Sequence, residues 1–179
     1  CSYEGQEPKD IYEFLMDNET RLGWDANVCH LDTTVLLENS PEDKIVALNC
    51  RTNAVGPISG RDFVDVCHWV TIPAKEAGGD YPIYMSAGAT ATESNVEALI
   101  KEVYPEPSGY VRGANFPGCG WHVTASKNGE GKVVTLVTYI IHTDLKGWFP
   151  KIVVNNAIAG SYVDFFKNSS EAMKTYKKE

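Results

Sequence analysis

The sequence is poor in the residues that most often carry chemistry. Its five cysteines, Cys1, Cys29, Cys50, Cys67 and Cys119, are odd in number and scattered, with no CxxC pair among them. Such spacing excludes a zinc ribbon and gives no disulfide framework. It reads as reduced thiols acting as small apolar residues in a cytoplasmic protein. Four histidines occur, His30, His68, His122 and His142, none at HxxxH spacing, so neither a metal nor another cofactor is expected. Basic residues are few: 16 Lys and Arg against 24 Asp and Glu leave a net charge of −8, which argues against a nucleic-acid partner. No apolar run is long enough to span a bilayer as a helix. Gly118-Cys119-Gly120 is not a dinucleotide fingerprint, and Asn128-Gly129-Glu130-Gly131-Lys132 is too short for a phosphate-binding loop. The chain begins at Cys1 rather than Met, so targeting is left open.

What is present is a good core. The chain has 179 residues, 43% of them hydrophobic, which fits one domain. After Pro8 the pattern Ile11, Phe14, Leu15 predicts a helix ended by Gly23. Residues 28–37 and 44–52 read as strands joined through Asn39-Ser40-Pro41-Glu42-Asp43. Residues 62–72 and 83–90 are further strands. An insertion follows whose middle is helical: Ser94 and Glu97 have capping-box spacing, and Pro105 and Pro107 stop the helix. Strands over 110–115, 121–126 and 132–143 come next, the last two joined at Asn128-Gly129. From Pro150 a long helix runs to the C-terminus, with Val154, Ile158, Tyr162, Phe165, Phe166, Met173 and Tyr176 recurring at steps of three and four. The order predicts an α+β fold with the helices on one face of an antiparallel sheet.

No converging acid–base set supports catalysis, so a binding protein rather than an enzyme is expected. Asp62, Asp65 and Asp144 are the best-placed acids, and an ion pair with Arg61 or Arg112 is their expected role. The remaining candidates are apolar and aromatic: Trp69, Tyr84, Trp121, Tyr139, Trp148 and Phe149 stand on strands or at the helix entry. Such residues suit a ligand cavity.

Four stretches carry a family resemblance: Trp24-Asp25-Ala26-Asn27-Val28, Ile58-Ser59-Gly60-Arg61-Asp62-Phe63-Val64-Asp65, Gly109-Tyr110-Val111-Arg112-Gly113, and His142-Thr143-Asp144-Leu145-Lys146-Gly147-Trp148-Phe149-Pro150-Lys151. In this order, with a terminal helix after the last, they resemble the START family of lipid-transfer domains. The phrases VRGANFPGCGW and IIHTDLKGWFP are most similar to its short, single-domain, cytosolic branch that carries sterols or bile acids.

The resemblance implies a helix-grip (START or Bet v 1-like) fold, a curved antiparallel sheet wrapped around the C-terminal helix with an internal lipid cavity. It implies a monomer that holds one lipid (sterol, bile acid or phospholipid) and exchanges it in transient contact with membranes. By position Leu48, Cys67, Tyr84 and Tyr139 face the cavity, and Val154, Ile158 and Tyr162 line it from the helix. Trp69, Ile141 and Phe149 complete the expected lining. Some members carry an acid and a base where this chain has Leu48 and Cys67, so Tyr84 and Tyr139 become the expected polar anchors. Strand alternation conflicts with this, since Val64, Val66 and Val70 look more core-like than Phe63, Asp65, Cys67 and Trp69. The insertion matches a gate, with Val96, Leu99, Ile100 and Val103 turned to the membrane. The expected organisation is one such domain over residues 1–179, lacking the usual N-terminal helix and first strands. Either the chain is truncated or the domain is short, with a sheet edge uncovered. A lipid-sensing module of a larger protein is the alternative, and a helix-grip cyclase or hydrolase a more distant one.

Overall fold

Residues rich in Val, Thr and Ile between positions 28 and 140 build one large antiparallel sheet. The computed structural model describes residues 1–55, 58–91, 94–147 and 151–176, and of residues 94–96, 99 and 151–159 only the backbone. The elements are β1 (Ser2–Glu4), α1 (Pro8–Met16), α2 (Asn18–Trp24), β2 (Val28–Ser40), β3 (Asp43–Thr52), β4 (Arg61–Ile72), α3 (Ala74–Ala77), β5 (Ile83–Thr90), α4 (Ser94–Val103), β6 (Val111–Arg112), β7 (Ala114–Asn115), β8 (Cys119–Lys127), β9 (Val133–Ile140), β10 (Thr143–Asp144) and α5 (Lys151–Met173). The sheet order is β1-β9-β8-β5-β4-β3-β2, with β6 parallel to β4. A small second sheet joins β10 to β7.

The first helix differs from expectation. Asp17 leaves the helical conformation, and its carboxylate accepts from Thr20 N at 2.9 Å, so one expected helix becomes two, α1 and α2. The strand expected over 110–115 is likewise two short ones that part at Gly113. A side chain there would collide with the Phe63 ring.

The core lies on the inner face. Ile11, Phe14 and Leu15 of α1 meet Tyr84, Trp121, Val123 and Val137 of the sheet and Phe165 and Met173 of α5. Phe14 stacks on Trp24 at 5.3 Å, and Trp24 meets the edge of Phe165 at 4.9 Å. The Tyr3 and Ser169 hydroxyls, 2.9 Å apart, tie β1 to α5.

The helices are not confined to one face. Helix α4 covers the outer face, where Ile100 packs with Ala47, Val64 and Tyr104, and Val66 borders the group. The Tyr104 hydroxyl bonds Asp32 at 3.0 Å and Thr34 at 2.7 Å on β2, which pins the end of this segment. Both faces of β4 are therefore covered, and its two sides read alike in sequence for that reason. A polar knot sits beside this patch. The Asp62 carboxylate accepts from Asn49 Nδ2 at 2.7 Å and Arg51 Nε at 3.4 Å, and pairs with Arg112 Nε at 2.5 Å. Asp62 is fully buried, so these donors replace its lost hydration.

Two outcomes check this packing. Asp62→Ala removes the acceptor shared by Asn49, Arg51 and Arg112 and should lower stability by about 3–5 kcal/mol in urea unfolding. Ile100→Ala should lower it by about 2–5 kcal/mol, as a core truncation does; an unchanged midpoint would mean the side chain does not pack as described.

Candidate functional site

Strand register places three cross-strand rows on the inner face. Tyr139, Trp121, Ser86, Trp69 and Lys44 form one row, and Cys119, Gly88, Cys67 and Val46 the next. Thr90, Asp65 and Leu48 form the third. At Gly88 an added Cβ would strike the Cys67 sulfur, so glycine lets the two strands carry that thiol between them.

Between these rows, α2 and α5 lies a cavity of about 730 Å³. Its apolar walls include Leu48, Phe63, Trp121, Ile141 and Phe165. This size falls within the range of about 300–1,000 Å³ usual for small-molecule sites. A second cleft, of about 1090 Å³, opens between α1, α2 and the β2–β3 turn, with Trp69 and Tyr84 in its wall and Glu13, Asp17, Glu19 and Glu42 around it.

Polar groups line part of the first cavity, and the buried ones among them are Arg21, Asp25, Asp65 and Ser86. Arg21 projects from α2, 9% exposed, with Nε 3.1 Å from Asp25 Oδ2. Its guanidinium lies 5.7 Å from the Trp121 ring centre and 5.8 Å from that of Phe165. Burial by itself would lower the Arg21 pKa, but Tyr139, Cys50 and Asp25 outweigh it and hold the guanidinium above its ordinary value. Burial pushes the Tyr139 phenol up, against the pull of Arg21. Its ring stacks on Trp121 with centroids 3.7 Å apart. On the opposite wall Asp65 accepts from Thr90 Oγ1 at 2.8 Å and Asn115 Nδ2 at 2.6 Å. Burial raises its pKa although both hydrogen bonds oppose the shift.

The mouth is bordered by residues 142–147. Arg61 Nε donates to Leu145 O at 2.6 Å and Nη2 to Lys146 O at 3.2 Å, while Nη1 reaches Ser59 O at 2.5 Å. The guanidinium thereby pins the chain just before α5. Lys146 and Gly147 both take positive φ, 52° and 87°, which turns the chain sharply there.

The candidate residues divide between locations. Leu48, Cys67, Tyr139, Ile141 and Tyr162 line the 730 Å³ cavity. Trp69 and Tyr84 are on the same face but border the other cleft, where Tyr84 stacks on Tyr12 at 5.4 Å. Tyr84 also packs with α1 in the core, and Lys44 stands over the Trp69 ring at 5.2 Å. Phe149 and the side chains of Val154 and Ile158 lie outside the described residues. Of the expected gate, Ile100 is 6% exposed and faces the outer side of the sheet, away from the cavity, while Val103 is 48% exposed. The side chains of Val96 and Leu99 lie outside the described residues. Among the acids, Asp62 pairs with Arg112, as expected, but Asp144 pairs with Lys146 at 2.7 Å, and Asp65 is held by neutral donors.

Arg21 and Asp25 were not expected in the site. A spacing of four on a helix is compatible with an ion pair, but nothing local in Asn18-Glu19-Thr20-Arg21 marks the arginine as buried.

Thiol chemistry tests the cavity wall. Burial pushes Cys50 and Cys67 up to about 12, whereas Cys1 and Cys29 are exposed. Iodoacetamide at pH 8 should modify the exposed Cys1 and Cys29 first and Cys50 and Cys67 more slowly by at least about tenfold, because burial disfavours their reactive thiolates. Peptide mapping over time reads the order, and equal rates at Cys29 and Cys67 would contradict the enclosed wall.

Comparison with known proteins agrees with this architecture. The START domain family matches residues 5–179. The chain is 30% identical over 172 residues to the mitochondrial steroidogenic acute regulatory protein of Danio rerio, covering 94% of this chain and 52% of that one. It is 30% identical over 167 residues to human StAR-related lipid transfer protein 4, covering 91% of this chain and 68% of that protein. The structure of human StAR-related lipid transfer protein 5 superposes with a TM-score of 0.69 at 23% identity, over 97% of this chain and 73% of that one. The chain spans about half the length of the steroidogenic regulatory proteins it matches. With the sheet, the terminal helix and the cavity between them in the order this family uses, the chain belongs to the START domain family.

Proposed function

We propose that this chain binds one lipid in the 730 Å³ cavity and exchanges it at membranes. The observation that carries the reading is the cavity itself: walled by Leu48, Phe63, Trp121, Ile141 and Phe165, edged by polar groups, and set between the sheet and the terminal helix of a START domain. Two relatives carry lipid transfer or steroidogenesis in their names, which supports the same direction. A sterol-like ligand fits best, because a rigid apolar body with one polar end matches walls of Leu48, Phe63, Trp121 and Phe165 interrupted by isolated polar groups. A ligand of about 28 heavy atoms at about 0.3 kcal/mol each gives about 8 kcal/mol, near micromolar affinity. That strength permits loading and release without an energy source.

We place the carrier in a reducing compartment, the cytoplasm, as a monomer in transient contact with membranes. The five free cysteines support the compartment. Among the described residues no helix is long and apolar enough to cross a membrane. The second reading, a lipid-sensing module of a longer protein, is supported by the coverage of about half of several relatives.

Native mass spectrometry of the purified chain, with extraction of whatever copurifies, is the direct test. One lipid per protein is the expected result. Added ligand at about 100 times its Kd should stabilise the fold by about 2.7 kcal/mol, seen as a rise in Tm. An empty protein whose Tm ignores sterols, bile acids and phospholipids would sink the reading.

A further inference from the structure

We propose that Asp65 is the polar anchor of the cavity and receives a neutral hydrogen-bond donor, such as a hydroxyl, from the ligand. The cavity would then select uncharged hydroxylated lipids over those with an anionic head. The inference rests on the lipid-cavity reading above and narrows its ligand class.

Four observations carry it. Asp65 is only 7% exposed, yet it belongs to the cavity lining. Its nearest neighbours on that face are apolar: Leu48 stands directly opposite on β3, and Phe63 and Cys67 flank it along β4. A carboxylate has about four acceptor positions, and here two are engaged, one by Thr90 and one by Asn115. Those donors are themselves fixed. Thr90 Oγ1 accepts from Asn115 N at 2.9 Å, and Asn115 Oδ1 accepts from Thr143 Oγ1 at 2.5 Å. The carboxylate is thus preorganised, buried and still short of donors, so a ligand hydroxyl completes its shell.

The charge inside the cavity points the same way. Arg21 is matched by Asp25 across 3.1 Å and is flanked by the rings of Trp121 and Phe165. Lys146 at the rim is matched by Asp144, so among the described residues Asp65 is the lining acid with no cation at hydrogen-bonding distance. A carboxylate or phosphate head brought beside it would meet a like charge in a poorly solvated space. A hydroxyl meets an acceptor instead.

Competition for dehydroergosterol fluorescence on the full chain tests the assignment. Wild-type protein should prefer cholesterol over cholestenone by about tenfold or more, since the ketone accepts but does not donate. Cholate and phosphatidylserine should compete more weakly than cholesterol. Asp65→Leu should bring the cholesterol-to-cholestenone affinity ratio to within about twofold of unity. Asp65→Asn, nearly isosteric, keeps an acceptor but adds a donor for the ketone, so it should narrow the same preference should the leucine variant fail to fold. Equal wild-type affinity for cholesterol and cholestenone would overturn the assignment, as would an equal loss of both in the variants or a preference for the anionic lipids. Any of these leaves the carrier reading standing. Wild-type protein that binds none of dehydroergosterol, diacylglycerol or phosphatidylcholine removes both.

Discussion

The aromatic contact centred on Phe165 holds the rest of the molecule in place. Its ring lies 5.6 Å from Trp121, 5.8 Å from Tyr139 and 4.9 Å from Trp24. One side chain of the terminal helix thereby joins the sheet to the second helix. Large aromatic surfaces supply much of the burial energy of a small domain, and their edge-to-face geometry adds direction to it. With Met173 and the Tyr3–Ser169 hydroxyl contact, this anchor clamps the C-terminal half of α5 onto the inner face. The cavity begins at the near side of the same residue, because Ser161, Tyr162 and Phe165 belong to its lining. Phe165 thus belongs both to the packed core and to the cavity wall.

Buried charge is arranged around that space in two different ways. On the outer face, Asp62 is surrounded by Asn49, Arg51 and Arg112, so its charge is compensated and its role is to fasten β3, β4 and β6. On the inner face, Asp65 is held by neutral donors alone and borders the cavity. The two acids stand three residues apart on one strand, and the alternation of side chains sends them to opposite faces. Arg61 spends its donors on backbone carbonyls beside the mouth. A guanidinium suits that work because its donors diverge in one plane and stay charged.

Much of this was legible in the chain. The β2–β3 hairpin, the strands β4 and β5, the capping-box helix α4 and the long α5 follow from local pattern, and the register then carries Leu48, Cys67, Tyr139 and Ile141 to the cavity. The break at Asp17 was missed because Ile11, Phe14 and Leu15 continue smoothly toward Arg21 in helical phase, while a cap acts through one hydrogen bond. The two faces of β4 were ambiguous because α4 covers the outer one. That cover depends on Ile100 and Tyr104 meeting residues 36 and more positions away.

Sequence by itself determined most of the longer strands and helices and the antiparallel α+β class, since these depend on periodicity and turn chemistry within about ten residues, whereas β1 and α3, short and read as loop, were decided by pairing and packing elsewhere. Tertiary structure decided which apolar face met which. It put Ile100 against the outside of the sheet, Tyr84 against α1, and Arg21 inside the cavity beside Asp25. It also separated Asp62 from Asp65 in chemical character. A residue's burial and charge environment are set by neighbours distant in the chain, and short-range pattern carries no record of them.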